Sequence, residues 1–125
     1  MVVALLDTLI VVDLMRRYPR AEDWLRGQTD LGINRAVWLE ILDGAKNNVD
    51  QQRALRLLRD FELVDVTTSD FDWATQQLLR LRLSHNVGAM DCLIAAPAYR
   101  LQLPLYTQNL KHFEPMLGAL AQKPY

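Results

Sequence analysis

Short apolar runs of strand length alternate with helix-length periodic segments along this chain, and that alternation restricts it to few folds. Val2 to Leu6 is a continuous apolar run, the pattern of a strand covered on both faces. Leu31 to Ile33, Leu63 to Val66 and Leu105 to Thr107 are the next strand candidates. Between them, Leu14 to Arg17 and Arg20 to Arg26 read as helical, with Pro19 suited to a helix start and Gly27 to a stop. Asn34 is a fair N-cap for Arg35 to Lys46, and Asp50 for Gln51 to Phe61. Asp70 opens Phe71 to Leu83, where Phe71, Ala74, Leu78 and Leu81 recur at helical spacing, and Gly88 to Leu103 is again helical. Strands separated by helices require right-handed crossovers. The sequence therefore predicts a three-layer α/β/α domain, residues 1–125 as a single unit, around a mainly parallel sheet of four or five strands.

Composition removes several functions. The 125 residues carry 14 Lys plus Arg against 15 Asp plus Glu, a formal net charge of -1. A generally basic coat for nucleic acid is excluded, so any such contact must be small or gathered on one face. Cys92 is the only cysteine, which rules out an internal disulfide and, with only His85 and His112, argues against a Cys/His zinc site. Asp7, Asp13, Arg16 and Arg17 break the longest apolar stretch, well short of the ~18 residues a membrane span needs. No positive flank precedes Met1 to Leu6, so a signal peptide is not expected and the cytoplasm is the expected location.

In parallel α/β sheets, ligands collect at the carboxyl ends of the strands. Asp7 and Thr8 follow the first strand; Thr107 closes the fourth and Asn109 follows it. Asp7 reads equally as a helix N-cap. Glu40, in Val37-Trp38-Leu39-Glu40-Ile41-Leu42, shares a helical face with Ala36, Val37, Ile41 and Gly44. In so apolar a helix it is expected to be kept from water, needing either an arginine partner or a specific role. Asp91, near the start of Val87 to Ala96, is by itself an ordinary first-turn acid. Taken together, three such acids beside one parallel sheet would repel each other unless a cation joined them. Oxygen-only ligands point to a hard ion, Mg²⁺ or Mn²⁺.

The strings LLDT at Leu5 to Thr8 with Asp13-Leu14-Met15-Arg16 after it, WLEILDG at Trp38 to Gly44, VGAMDCLIAA at Val87 to Ala96 and YTQNLKHF at Tyr106 to Phe113 occur in that order over nearly the whole chain. In order and spacing they resemble the PIN-domain ribonucleases, and among them the VapC-type toxins of bacterial toxin-antitoxin pairs. The resemblance implies a PIN-like fold and a Mg²⁺- or Mn²⁺-dependent endoribonuclease with Asp7, Glu40 and Asp91 as metal ligands and catalytic acids. It also implies in-line attack on a phosphodiester by a metal-activated water, leaving a 5′-phosphate and a 3′-hydroxyl. Thr8, Thr107 and Asn109 would support the acids; Asn109 stands where many members carry a fourth acid, which leaves the number of metals open. A homodimer and a cognate VapB-type antitoxin covering the active-site groove are further implications.

Some positions depart from the family pattern. Leu9 and Asn34 replace the usual polar residue and Ser, and both are expected to weaken the outer shell of the site. Pro97 should kink or break the helix after Asp91. His112 is expected in a surface or packing role and Cys92 as a small buried hydrophobe. Arg16, Arg17 and Arg20 follow the first acid and are the candidate RNA contacts. The stripe Arg53, Arg56, Arg59 reads first as a solvated face and second as a phosphate track. Spare apolar surface is expected around Leu14, Trp24 and Leu25. A non-catalytic PIN-like module for binding RNA or protein is the alternative function.

Overall fold

A computed structural model describes every residue from Met1 to Tyr125. The core begins at β1 (Ala4–Leu6), whose three residues are all buried, as the apolar run required. It pairs in parallel with β2 (Leu31–Asn34) on one side and β4 (Leu105–Tyr106) on the other, Leu5 lying opposite Gly32 and Leu105. Outside these lie β3 (Glu62–Val64) and β5 (Ala121–Gln122), giving a five-stranded parallel sheet in the order β3-β2-β1-β4-β5. A two-residue strand such as β5 carries no periodicity, so the residue pattern does not reveal it.

The helices are α1 (Thr8–Met15), α2 (Pro19–Arg26), α3 (Arg35–Asp43), α4 (Asn48–Leu58), α5 (Thr68–His85), α6 (Ala89–Leu101) and α7 (Leu110–Leu117). They cover the sheet to form the three-layer α/β/α architecture. Leu5, Leu6, Ile33 and Leu105 from the strands meet Ile10, Val11, Val37, Leu58, Leu81, Ile94 and Phe113 from the helices in one apolar cluster.

Several boundaries differ from the expected ones, each for a local reason. The first helix begins at Thr8, as the N-cap reading of Asp7 implied and ahead of the segment from Leu14; the Asp7 carboxylate accepts the Thr8 N–H, and the β-branched run Ile10-Val11-Val12 coils with its face buried. Asn47, not Asp50, caps α4, and α5 opens with a capping box between Thr67 and Asp70. Pro97 does not break α6, which runs through it with the ring buried. Leu14 is buried, and Trp24 packs edge-on to Tyr106 with centroids 5.0 Å apart, so the α1–α2 region is not the spare apolar surface expected. The most exposed large apolar residues of the helices lie elsewhere, Leu39, Val49, Leu79 and Leu83 among them, with Leu9 and Tyr18 less exposed on and after α1.

Candidate active site

The carboxyl ends of β1, β2 and β4 deliver the polar groups. Asp7 directly follows β1 and is 4% exposed. One of its oxygens accepts the Thr8 N–H at 2.7 Å and the other accepts the Thr107 hydroxyl at 2.8 Å. Thr107, fully buried after β4, also accepts the Asn109 N–H at 2.9 Å, so one hydroxyl holds both the acid and the turn into α7. Asp7 therefore caps α1 and faces the other acids at once. Burial pushes its carboxyl up to about 6 against the pull of these hydrogen bonds, and the charges of Asp91 and Glu40 push the same way. Asp7 thus lies in the field of both other acids.

Glu40 departs from its expected setting. It is half-buried, α3 is not buried all round because Arg35, Leu39 and Asp43 are exposed, and the carboxylate meets no arginine. Its Oε1 accepts the Thr8 hydroxyl at 2.6 Å instead. Thr8 thus links two acids, giving its N–H to Asp7 and its O–H to Glu40.

Asp91, in the first turn of α6, reaches back to the Gly88 N–H at 3.4 Å and lies 3.0 Å from Nδ1 of His112. His112 is therefore not a bystander. The same Nδ1 is 3.0 Å from the Asn109 amide nitrogen, and one ring nitrogen serves only one of them at a time. Carrying its proton, Nδ1 donates to Asp91; without it, Nδ1 accepts from Asn109. The sequence signal that could have found this contact is the spacing of Asn109 and His112, which places both on one face at the start of α7. Cys92, beside Asp91, is buried, and burial followed by the Asp91 charge pushes its thiol up, which keeps it an inert hydrophobe.

Asn34 caps α3 as expected and also ties it to α6. It is 1% exposed; its oxygen accepts the N–H groups of Ala36 and Val37 at 2.9 and 3.1 Å, and its amide donates to the Ile94 carbonyl at 3.0 Å. One side chain thereby fixes the start of α3, which carries Glu40, against α6, which carries Asp91. Leu9 is 45% exposed on α1. Of the arginines, Arg16 lines the cavity that contains Thr8 and Glu40, whereas Arg17 is turned to Glu22 at 2.9 Å and Arg20 is exposed on α2.

The site holds its acids by hydrogen bonds, and no three carboxylate, imidazole or thiol groups stand close enough together to enclose an ion. The donors themselves are all oxygen, and a divalent cation would relieve the burial and, to a lesser degree, the repulsion that raise Asp7, so the residue set fits a hard ion chemically.

The PIN domain family model matches residues 4–114 of the chain. This protein belongs to the PIN-domain family. The PIN domain here is similar to Ribonuclease VapC10 of Mycobacterium tuberculosis, 32% identical over 120 residues that cover 93% of this chain and 89% of that protein. In fold it resembles a chain of a toxin-antitoxin complex from Klebsiella pneumoniae, with a TM-score of 0.75 at 27% identity over 98% of both chains. It also resembles a chain of VapBC2 from Rickettsia felis bound to a promoter DNA fragment, with a TM-score of 0.73 at 24% identity over 92% of each. In this PIN domain the matched span takes in Asp7, Glu40, Asp91, Thr107 and Asn109.

Proposed function

We propose that this PIN domain is a Mg²⁺- or Mn²⁺-dependent endoribonuclease toxin, neutralised by a cognate VapB-type antitoxin and working as a cytoplasmic homodimer. Family membership and the ribonuclease relative support RNA phosphodiester cleavage. The toxin-antitoxin neighbour at 27% identity supports the antitoxin. The single observation that carries the catalytic part is the bridge that Thr8 makes at the end of β1, its N–H on Asp7 and its hydroxyl on Glu40.

Asp7, Glu40 and Asp91 would hold the ion. When bound, it supplies Lewis-acid stabilisation of the phosphate and a water acidic enough to attack. The protein's own part is positioning. Thr107 and the Thr8 N–H fix both oxygens of Asp7, the Thr8 hydroxyl aims Glu40, and Gly88 with His112 aims Asp91. Asn109 contributes a neutral amide and the N–H that pins Thr107.

The test is cleavage of total cellular RNA by purified, antitoxin-free protein with and without Mg²⁺ or Mn²⁺, followed by mapping of the cut ends. Metal-dependent cleavage leaving 5′-phosphates, lost on Asp7→Asn or Asp91→Asn, is the expected result. Cleavage without metal, or unaffected by both substitutions, would overturn it. No cleavage of any RNA would favour the non-catalytic binding module, a reading that the amide at Asn109 keeps in view.

A further inference from the structure

Two cavities adjoin, one of them lined by Glu40. The first, about 330 Å³, has Thr8 and Glu40 in its wall together with Arg16 and Arg53. The second, about 550 Å³, lies between the end of α1 and α4, where Arg53 and Arg56 stand over Leu14 and Leu57. Met15 and Arg53 line both, so the two cavities lie side by side across the Arg53–Met15 hydrogen bond and together form a groove leading away from Glu40. We infer that this groove is the track for the RNA strand on one side of the cut. Arg16 and Arg53 take the phosphate next to the acids, and Arg56 takes one further along.

This inference rests on the nuclease reading and adds which residues hold the substrate. Arg53 is already braced, one Nη donating to the Met15 carbonyl at 2.9 Å and the other 3.9 Å from an Asp50 oxygen. A guanidinium has five N–H donors, so most of its fork stays free for phosphate oxygens. Arg56 is exposed and paired with no carboxylate, Asp60 being the one acid in the same wall, and Arg17 there is paired with Glu22. The floor of Leu14, Met15 and Leu57 contains no aromatic ring, so no base can stack on it. This arm therefore reads the RNA backbone, and sequence preference must arise elsewhere. An acidic peptide would satisfy the same charges. Phosphate is favoured because the line of arginines starts at acids whose reaction centre is itself a phosphate. Arg59, next on the α4 stripe, lines neither cavity and is the internal control.

The experiment is fluorescence anisotropy with a labelled oligouridylate of about twelve nucleotides, in EDTA so that binding is read without cleavage, over a series of salt concentrations. Arg53→Met and Arg56→Met are each expected to weaken binding about 3- to 10-fold and to reduce the log–log salt slope by about 0.7. Arg59→Met should leave both unchanged. Arg56→Met breaks no internal hydrogen bond, so it separates substrate contact from folding. Unchanged affinity and slope in Arg53→Met and Arg56→Met would overturn the track. So would a loss confined to binding of purified antitoxin, which would assign the groove to a peptide. Failure of the nuclease reading shows separately, as absence of metal-dependent RNA cleavage by the unsubstituted protein.

Discussion

Asp7 concentrates the physical tension of the molecule in one carboxyl group. With its carboxyl raised to about 6 in the fold against 3.8 in the unfolded chain, it is destabilising wherever it must be ionised. The penalty is absent below pH 3.8, grows as pH rises through the unfolded value, and is complete above 6, where the gap between the two values corresponds to about 3 kcal/mol. Asp7→Asn removes the charge but perturbs the Thr107 hydrogen bond at every pH. Urea unfolding should therefore show the variant gaining about 2 kcal/mol more, relative to the parent, at pH 8 than at pH 4. An equal difference at both pH values would show that Asp7 is not strained. Thr107→Val, nearly isosteric, leaves a buried carboxylate oxygen and the Asn109 N–H without their partner. A loss of about 1–3 kcal/mol by the same measurement, with reduced RNA cleavage, is the expected outcome. The acids were legible in the sequence because a charged residue ending an apolar strand or lying in an apolar helix is conspicuous. The role of His112 was not, since its contact with Asp91 spans 21 positions and depends on where α7 lands.

Elements place these residues through their ends. Asn34 stops β2, caps α3 and ties it to α6, so Asn34→Ala should cost about 2 kcal/mol in chemical denaturation. It should also slow cleavage by more than the lost stability explains, because Glu40 and Asp91 ride on the two helices it joins. Retained activity with normal stability would show that the bridge is dispensable. On the other side of α6, Arg100 forks onto the buried Asp70 at 2.9 and 3.1 Å. Burial would raise the Asp70 carboxyl, but the guanidinium and the Thr67 hydrogen bonds outweigh it and hold it below the usual carboxylate range. That contribution to stability is present above the unfolded carboxylate value and is lost as pH falls through the folded one. Gly32 in β2 answers to packing: a Cβ there would stand 2.9 Å from the Val2 side chain and 3.2 Å from the Glu62 carbonyl oxygen. Local chemistry made most helices readable, since caps such as Asn34 act within three residues. Two-residue β5 was not readable, because burial and not propensity decides it, whereas the start of α1 was readable only through Asp7 as its cap.

At the scale of the whole molecule, the proposed divalent ion, held by Asp7, Glu40 and Asp91, would stabilise the fold in proportion to its binding. Protons compete with the ion for Asp7, whose carboxyl titrates near 6. Millimolar Mn²⁺ is therefore expected to raise the thermal midpoint more at pH 8 than at pH 5, and not at all in Asp7→Asn. Equal shifts at both pH values, or a shift that survives the substitution, would place the ion elsewhere. The apolar runs and their spacing were enough to specify a parallel α/β/α fold and to put Asp7 and Thr107 at strand ends, because the periodicity of burial and the capping of helices are encoded over a few neighbouring residues. The tertiary structure alone decided that Thr107 holds Asp7 across 100 positions, that Thr8 and not an arginine meets Glu40, that Asn34 braces the helices of two acids, and that Arg53 joins the cavity beside Glu40 to the arginine groove. Those pairings depend on strand order and helix landing, which arise from packing of the entire chain and leave no mark within any short stretch of it.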